Sequence, residues 1–132
     1  MKRKIEVWDE AGHILAHVGK GVLITVAAEG QVNPMTIGWG TLGVQWGKPI
    51  FIVFVRQSRF TKELLDKNGE FTINVPRKGD NRKHELGVCG TKSGRDMDKI
   101  AELGLHLEEP EMISVPGIRE FPITRNSAAP AL

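Results

Sequence analysis

Read for the period of its apolar positions, the chain is mostly strand. Residues 22–28 are apolar and β-branched, Glu29-Gly30 is a turn signal, and a second strand runs from Val32 towards Met35. Trp46-Gly47-Lys48-Pro49 reads as another turn. It opens onto Ile50 to Val55, a continuous apolar run that predicts a strand buried on both faces. The period changes after Ser58. Phe60, Leu64 and Leu65 share one helical face, Ser58 is placed to cap it, and Asn68-Gly69 ends it. Phe71, Ile73 and Val75 alternate with Thr72 and Asn74, the pattern of a half-buried strand stopped by Pro76. Residues 77–86 are polar, with a short helix from Asn81. Ser93 and Asp96 form an S-x-x-D capping box before Met97, Ile100, Ala101 and Leu103, and Gly104 closes that helix. The segment holding His13 and His17 reads as extended or irregular. After Ile118 the periodicity is lost, and "REFPITRNSAAPAL" reads as an irregular tail over 119–132 without a closing strand. Short strands joined by turns, with few βαβ signals, predict a mainly β, antiparallel barrel with short helices over 1–118.

Composition changes this picture little. The 132 residues are 40% hydrophobic and 26% charged, as in an ordinary soluble domain, and one domain is expected. A net charge of +2 gives no electrostatic case for nucleic acid or an anionic membrane, but leaves room for a small anion held by local cations. Cys89 is the single cysteine and predicts a reducing, cytoplasmic setting. The four histidines are scattered and no Cys/His/Asp cluster has metal-ligand spacing, so neither a metal site nor an acid–base dyad is expected.

Two motifs fail on context. Gly38-Trp39-Gly40-Thr41-Leu42-Gly43 spells G-x-G-x-x-G, the fingerprint of a dinucleotide-binding βαβ unit. That unit needs a helix starting inside the motif and an acid at the end of the next strand. Here a turn follows, and Arg56 stands after the strand. The glycines instead predict a bulged strand on which a flat ligand can approach the backbone. Gly87 to Gly94 resembles a P-loop, but Thr91 stands where the glycine before the lysine is required.

Arg56-Gln57-Ser58-Arg59-Phe60-Thr61 carries more weight. Two guanidinium groups, two hydroxyls and the amides of a helix start fall within six residues, a combination suited to a phosphate dianion. Taken with "NPMTIGWGTLG", "RQSRFTKELLDKNGEFTINVP" and "CGTKSGRDMDKIAELGL", the chain resembles the flavin reductase-like, FMN-binding split-barrel family, in its flavoredoxin-like branch, over roughly residues 10–118.

That resemblance implies a six-stranded, Greek-key antiparallel split barrel, usually a homodimer with FMN near the subunit interface. It sets Asn33, Met35, Thr36, Ile37, Gly38, Trp39, Gly40 and Thr41 against the isoalloxazine and ribityl chain. It sets Arg56, Ser58, Arg59 and Thr61 at the phosphate. It brings the block from Cys89, Gly90 and Lys92 to Lys99 to the other side of the flavin, with Lys92 or Lys99 near the ring's polar edge. Cys89 receives no redox role. Three functions follow: an NAD(P)H-dependent flavin reductase, a flavoredoxin-like carrier that takes electrons from a partner protein, and a non-catalytic FMN-binding module. Family members continue well past the point matching Ile118, so the final strand or strands are expected to be missing here. The sheet edge thereby exposed argues for an obligate dimer.

Overall fold

The computed structural model describes residues 6–110 and 112–128, with only the backbone given for 125–128. Its centre is β1 (Val22–Ala28), whose alternate residues serve two different cores. β2 (Gln31–Ile37) pairs with one side of β1 and β5 (Glu70–Val75) with the other, and β8 (Ile123–Ala128) pairs with the far side of β5. The four strands are antiparallel in the order β2-β1-β5-β8. β3 (Gly40–Gln45) and β4 (Lys48–Val53) form a separate hairpin. Together the sheet and the hairpin supply six strands in two pieces. A two-residue ladder, β6 (Leu107–Glu108) with β7 (Gly117–Ile118), lies apart from both.

Val22, Ile24 and Val26 face one core with Phe71, Ile73, Val75, Met35 and Ile37, against Ile14, Val18, Phe51 and Leu64. Leu23 faces the opposite core with Cys89, Leu105, Ile118 and Phe121. Strand β5 is therefore buried on both faces, which corrects the half-buried expectation. Its polar residues are largely accommodated by hydrogen bonding, although the Asn74 side-chain nitrogen has no partner among the described residues. The Thr25 hydroxyl donates to Asn74 Oδ1 at 2.6 Å, and the Thr72 hydroxyl reaches the Pro116 carbonyl at 3.1 Å. Alternation tells which residues share a face, but not that a second layer covers the polar face.

Both predicted turns are present, and each has positive φ at two successive residues, Glu29-Gly30 and Trp46-Gly47. That is the requirement of a type I′ hairpin. Strand β4, by contrast, is not buried on both faces. Phe51 packs into the core while Ile52 and, just beyond the strand, Phe54 are exposed, because nothing among the described residues covers the hairpin's outer side. No helix starts in "GWGTLG", in agreement with rejecting the dinucleotide reading, but the expected bulge is absent too. Gly40 pairs with Val53 and the register runs unbroken to Gln45 and Lys48. A side chain at Gly40 would meet the Phe51 ring at 2.9 Å, so this glycine serves internal packing.

The helices are α1 (Val7–Val18), α2 (Phe60–Lys67), α3 (Lys83–Thr91) and α4 (Lys99–Leu103). Helix α1 overturns the extended reading of the His13 segment. It lacks a side-chain cap and is held by seating Ile14 and Val18 on the sheet. The His13 imidazole also bonds the Pro76 carbonyl at 2.8 Å. Helix α3 is longer than expected and carries Cys89-Gly90-Thr91. Helix α4 starts later than the capping box suggested: Asp98 is its cap, accepting from the Ala101 amide, while Ser93–Asp96 form a turn. Gly104, in the left-handed region at φ 62°, ends α4 as expected.

The tail also differs from expectation. Residues 123–128 are strand β8, paired with the whole of β5 from Glu70–Ala128 to Val75–Ile123. Ladder pairing uses backbone groups, so the free edge of β5 can recruit a segment whose side chains show no alternation. Among the described residues no helix is long and apolar enough to cross a membrane.

Candidate functional site

Four segments meet where β2 runs along the edge of the main sheet. Asn33 and Met35 come from β2, Ser58 to Thr61 from the turn into α2, Gly90 and Thr91 from the end of α3, and Lys92 to Arg95 with Lys99 from the loop into α4. They line a cleft of about 250 Å³. Four lining residues are basic (Arg59, Lys92, Arg95, Lys99) and none is acidic. The surplus charge is local, since the whole chain is nearly neutral.

Each wall is fixed by specific bonds. The Asn33 side-chain amide donates to the Thr61 hydroxyl at 3.0 Å, both residues being buried, and so joins β2 to the first turn of α2. Arg59, not Ser58, is the N-cap of α2, and no side chain caps the first-turn amides. Those amides and the helix dipole favour an anion at this end. Arg59 Nη2 donates to the Gly90 carbonyl at 3.2 Å and ties the turn to α3. Arg95 pairs with Glu63 and stacks over Phe60, its guanidinium carbon 5.4 Å from the ring centre.

At Gly94 the loop lies so close to β2 and α2 that a Cβ would overlap Asn33 Oδ1 and sit 2.7 Å from the Phe60 ring. Gly90 approaches Thr36 in the same way, at 3.3 Å. Lys99 is 2% exposed, and its ammonium donates to the carbonyls of Pro34 at 3.0 Å and Cys89 at 3.2 Å. Burial lowers its pKa below the ordinary 10.5, with the neighbouring Cys89 thiol opposing and Arg59 adding to the shift. Burial likewise pushes the Cys89 thiol up to about 11. Cys89 is therefore a protonated core residue at neutral pH.

Of the residues singled out from sequence, Asn33, Met35, Ser58, Arg59, Thr61, Gly90, Lys92 and Lys99 line this cleft together. The others lie elsewhere. Thr36 spends its hydroxyl on the Leu86 carbonyl at 2.6 Å, while Ile37 and Cys89 are buried in the two cores. Gly38 and Trp39 link β2 to β3, and Gly40 and Thr41 begin β3. Arg56 lies over the Trp39 ring at 5.5 Å and does not line the cleft. Phe60, Thr91, Ser93, Gly94 and Arg95 line the cleft without having been assigned to the site from sequence. The signal for Gly94 was present, a glycine between polar residues in the third block, but its capping-box reading drew attention to Ser93 and Asp96.

The family described as a flavin reductase like domain matches residues 15–124. A protein of uncharacterised function from Escherichia coli is 31% identical over 112 residues, covering 83% of this chain and 57% of that protein. Among solved structures, the flavoredoxin of Desulfovibrio vulgaris superposes with a TM-score of 0.72 at 25% identity, covering 80% of this chain and 57% of that one. An FMN-binding protein from Thermus thermophilus, with bound 1-cyclohex-2-enone, gives a TM-score of 0.66 at 25% identity, covering 80% and 56%. The chain thus spans little more than half the length of each of these three proteins.

Proposed function

Given that the chain belongs to the flavin reductase-like domain family, we propose that it binds FMN and serves as an NAD(P)H-dependent, flavin reductase-like oxidoreductase. The observation that carries this reading is the cluster of cations at the uncapped start of α2, in a cleft whose lining holds no carboxylate. It fits a phosphate dianion in charge and in donors: the amides of α2, the Ser58 hydroxyl, the Arg59 fork and the ammonium groups of Lys92 and Lys99.

At about 250 Å³ the cleft falls below the range of roughly 300–1,000 Å³ usual for a whole ligand site. We therefore assign it to the phosphate-bearing end, with the segment from Asn33 to Thr41 towards the ring. Bound FMN supplies reversible electron transfer. The chain's own residues bind and orient it and place cations beside its anionic groups. A second copy of the chain, seated on the exposed outer side of the β3–β4 hairpin, completes the site in this reading.

The test is the visible absorption spectrum of the purified protein, with and without added FMN, repeated for Arg59→Ala and Arg56→Ala. Losing charge-assisted bonds of about 1.5–3 kcal/mol should weaken FMN binding roughly ten- to hundredfold in Arg59→Ala. Arg56→Ala should lose less, because its guanidinium rests on Trp39. Wild-type retention of FMN by Arg59→Ala would remove the cleft from this account. Anaerobic bleaching by NADH or NADPH supports the reductase. Bound FMN that neither nicotinamide bleaches would instead assign the chain to electron carriage from a protein donor.

A further inference from the structure

Lys99 is the only charged side chain that is buried among the described residues. An ammonium has three hydrogens to donate. Two go to the carbonyls of Pro34 and Cys89, and the third has no protein acceptor among the described residues. Both acceptors are neutral, so the charge is hydrogen-bonded without being neutralised. Pro34 lies in β2, the edge strand, and its outward carbonyl would otherwise be an open ladder site. Lys99 therefore joins the edge of the sheet to the end of α3, and does so at the wall of the cleft.

The groups that face it do not supply a counter-charge. Helix α3 contributes the neutral Cys89 thiol and, farther along, Glu85, which is engaged with Arg82. The N-cap of α2 contributes Arg59, and the loop before α4 contributes Lys92 and Arg95, the latter paired with Glu63 of α2. On α4 itself, the N-cap Asp98 and Glu102 are exposed. Strand β2 offers Asn33, Pro34 and Met35, none of which titrates. A buried ammonium among other cations is costly to keep charged, and an anion entering the cleft reverses that.

We propose that Lys99 is the proton-linked counter-charge of the cleft: two of its hydrogens clamp β2 to α3, the third meets the anionic ligand, and the ligand is held with Lys99 protonated and released as that proton leaves. This rests on the reading of the cleft as the anion-binding end of a flavin site, and adds to it a regulation by pH. The sign follows from linkage. In the empty protein Lys99 releases its proton below its ordinary value, and an adjacent anion restores it. Binding then takes up a proton in that window, so affinity falls as pH rises, by at most about tenfold per pH unit. A phosphate monoester is already dianionic above about pH 7, so its own second ionisation does not contribute.

FMN binding to the wild-type protein, followed by flavin fluorescence as pH is raised from neutral towards the ordinary lysine value of about 10.4, should weaken. In Lys99→Arg, which stays charged throughout, the affinity should vary much less with pH. Lys99→Met should bind weakly and without that pH dependence. Because a substitution at this buried position can impair folding, proton uptake is also read on the wild type alone. Calorimetry in two buffers of different ionisation enthalpy, repeated across that pH range, should show proton uptake on binding within it. Wild-type affinity that tracks Lys99→Arg, or absence of proton uptake, would overturn the role of Lys99 while leaving FMN binding in place. Absence of FMN binding at any pH would overturn both.

Discussion

At the scale of single residues, the cleft owes its shape to an absent side chain. Gly94 lets the loop before α4 close on Asn33 and Phe60, and there is no room for a methyl group. Gly94→Ala should therefore cost about 1–3 kcal/mol through overpacking. It should also push the loop outward and weaken FMN binding. A thermal melt several degrees below wild type, with reduced flavin retention, is the expected result. An unchanged melting temperature would mean that the loop is not packed as described. Arg56 and Arg59 make a second point at this scale. Three positions apart, with the same chemistry, they are equivalent in a linear reading. The chain's path sends one onto Trp39 and the other to the Gly90 carbonyl.

At the scale of elements, β5 shows how a polar strand face becomes interior. Thr25, Thr72 and Asn74 are fully buried between the sheet and the layer that includes Ile118 and Phe121; Asn74 Oδ1 accepts from the Thr25 hydroxyl, and the Thr72 hydroxyl shares its one proton between Asn74 Oδ1 and the Pro116 carbonyl. Removing that acceptor leaves a buried hydroxyl on Thr25 without its partner. Asn74→Ala should destabilise the protein by roughly 1–3 kcal/mol, read as a lower urea midpoint. A midpoint equal to wild type would show that Asn74 is not the hub of this cluster. Strands β1, β2 and β5 and the two I′ turns were legible because period and turn chemistry are local. Helix α1 was not, since its apolar contacts lie on a sheet built from residues later in the chain. Nor was β8, which pairs along the edge of β5 although its own sequence shows no alternation.

At the scale of the molecule, the β3–β4 hairpin is the anomaly. Trp39, Trp46 and Phe54 are 63%, 91% and 58% exposed, an apolar display that a lone copy leaves to water. Trp46 also sits at φ 53°, where a bulky residue is strained by about 1 kcal/mol or more. Asparagine tolerates that region, so Trp46→Asn should raise the thermal stability of a monomer. If the hairpin seats a second copy, as proposed, the same substitution combined with Phe54→Ser should shift the molecular mass by light scattering from dimer towards monomer. A wild-type protein that is monomeric and still binds FMN tightly would remove the dimer from this account.

What the sequence determined by itself was local or compositional: a mainly β antiparallel domain, its turns, the helix start beside two arginines, and three blocks ordered as in one flavin-binding family. Those properties rest on neighbours within a few residues, where backbone preference and side-chain period act directly. Tertiary structure alone decided which of the named residues meet. It drew Lys99 to Pro34 across the sheet edge, fitted Gly94 against Asn33, set Cys89 in the core, and assembled a carboxylate-free cleft within a nearly neutral chain. Such contacts join residues tens of positions apart, and their charge and burial exist only once the layers have closed.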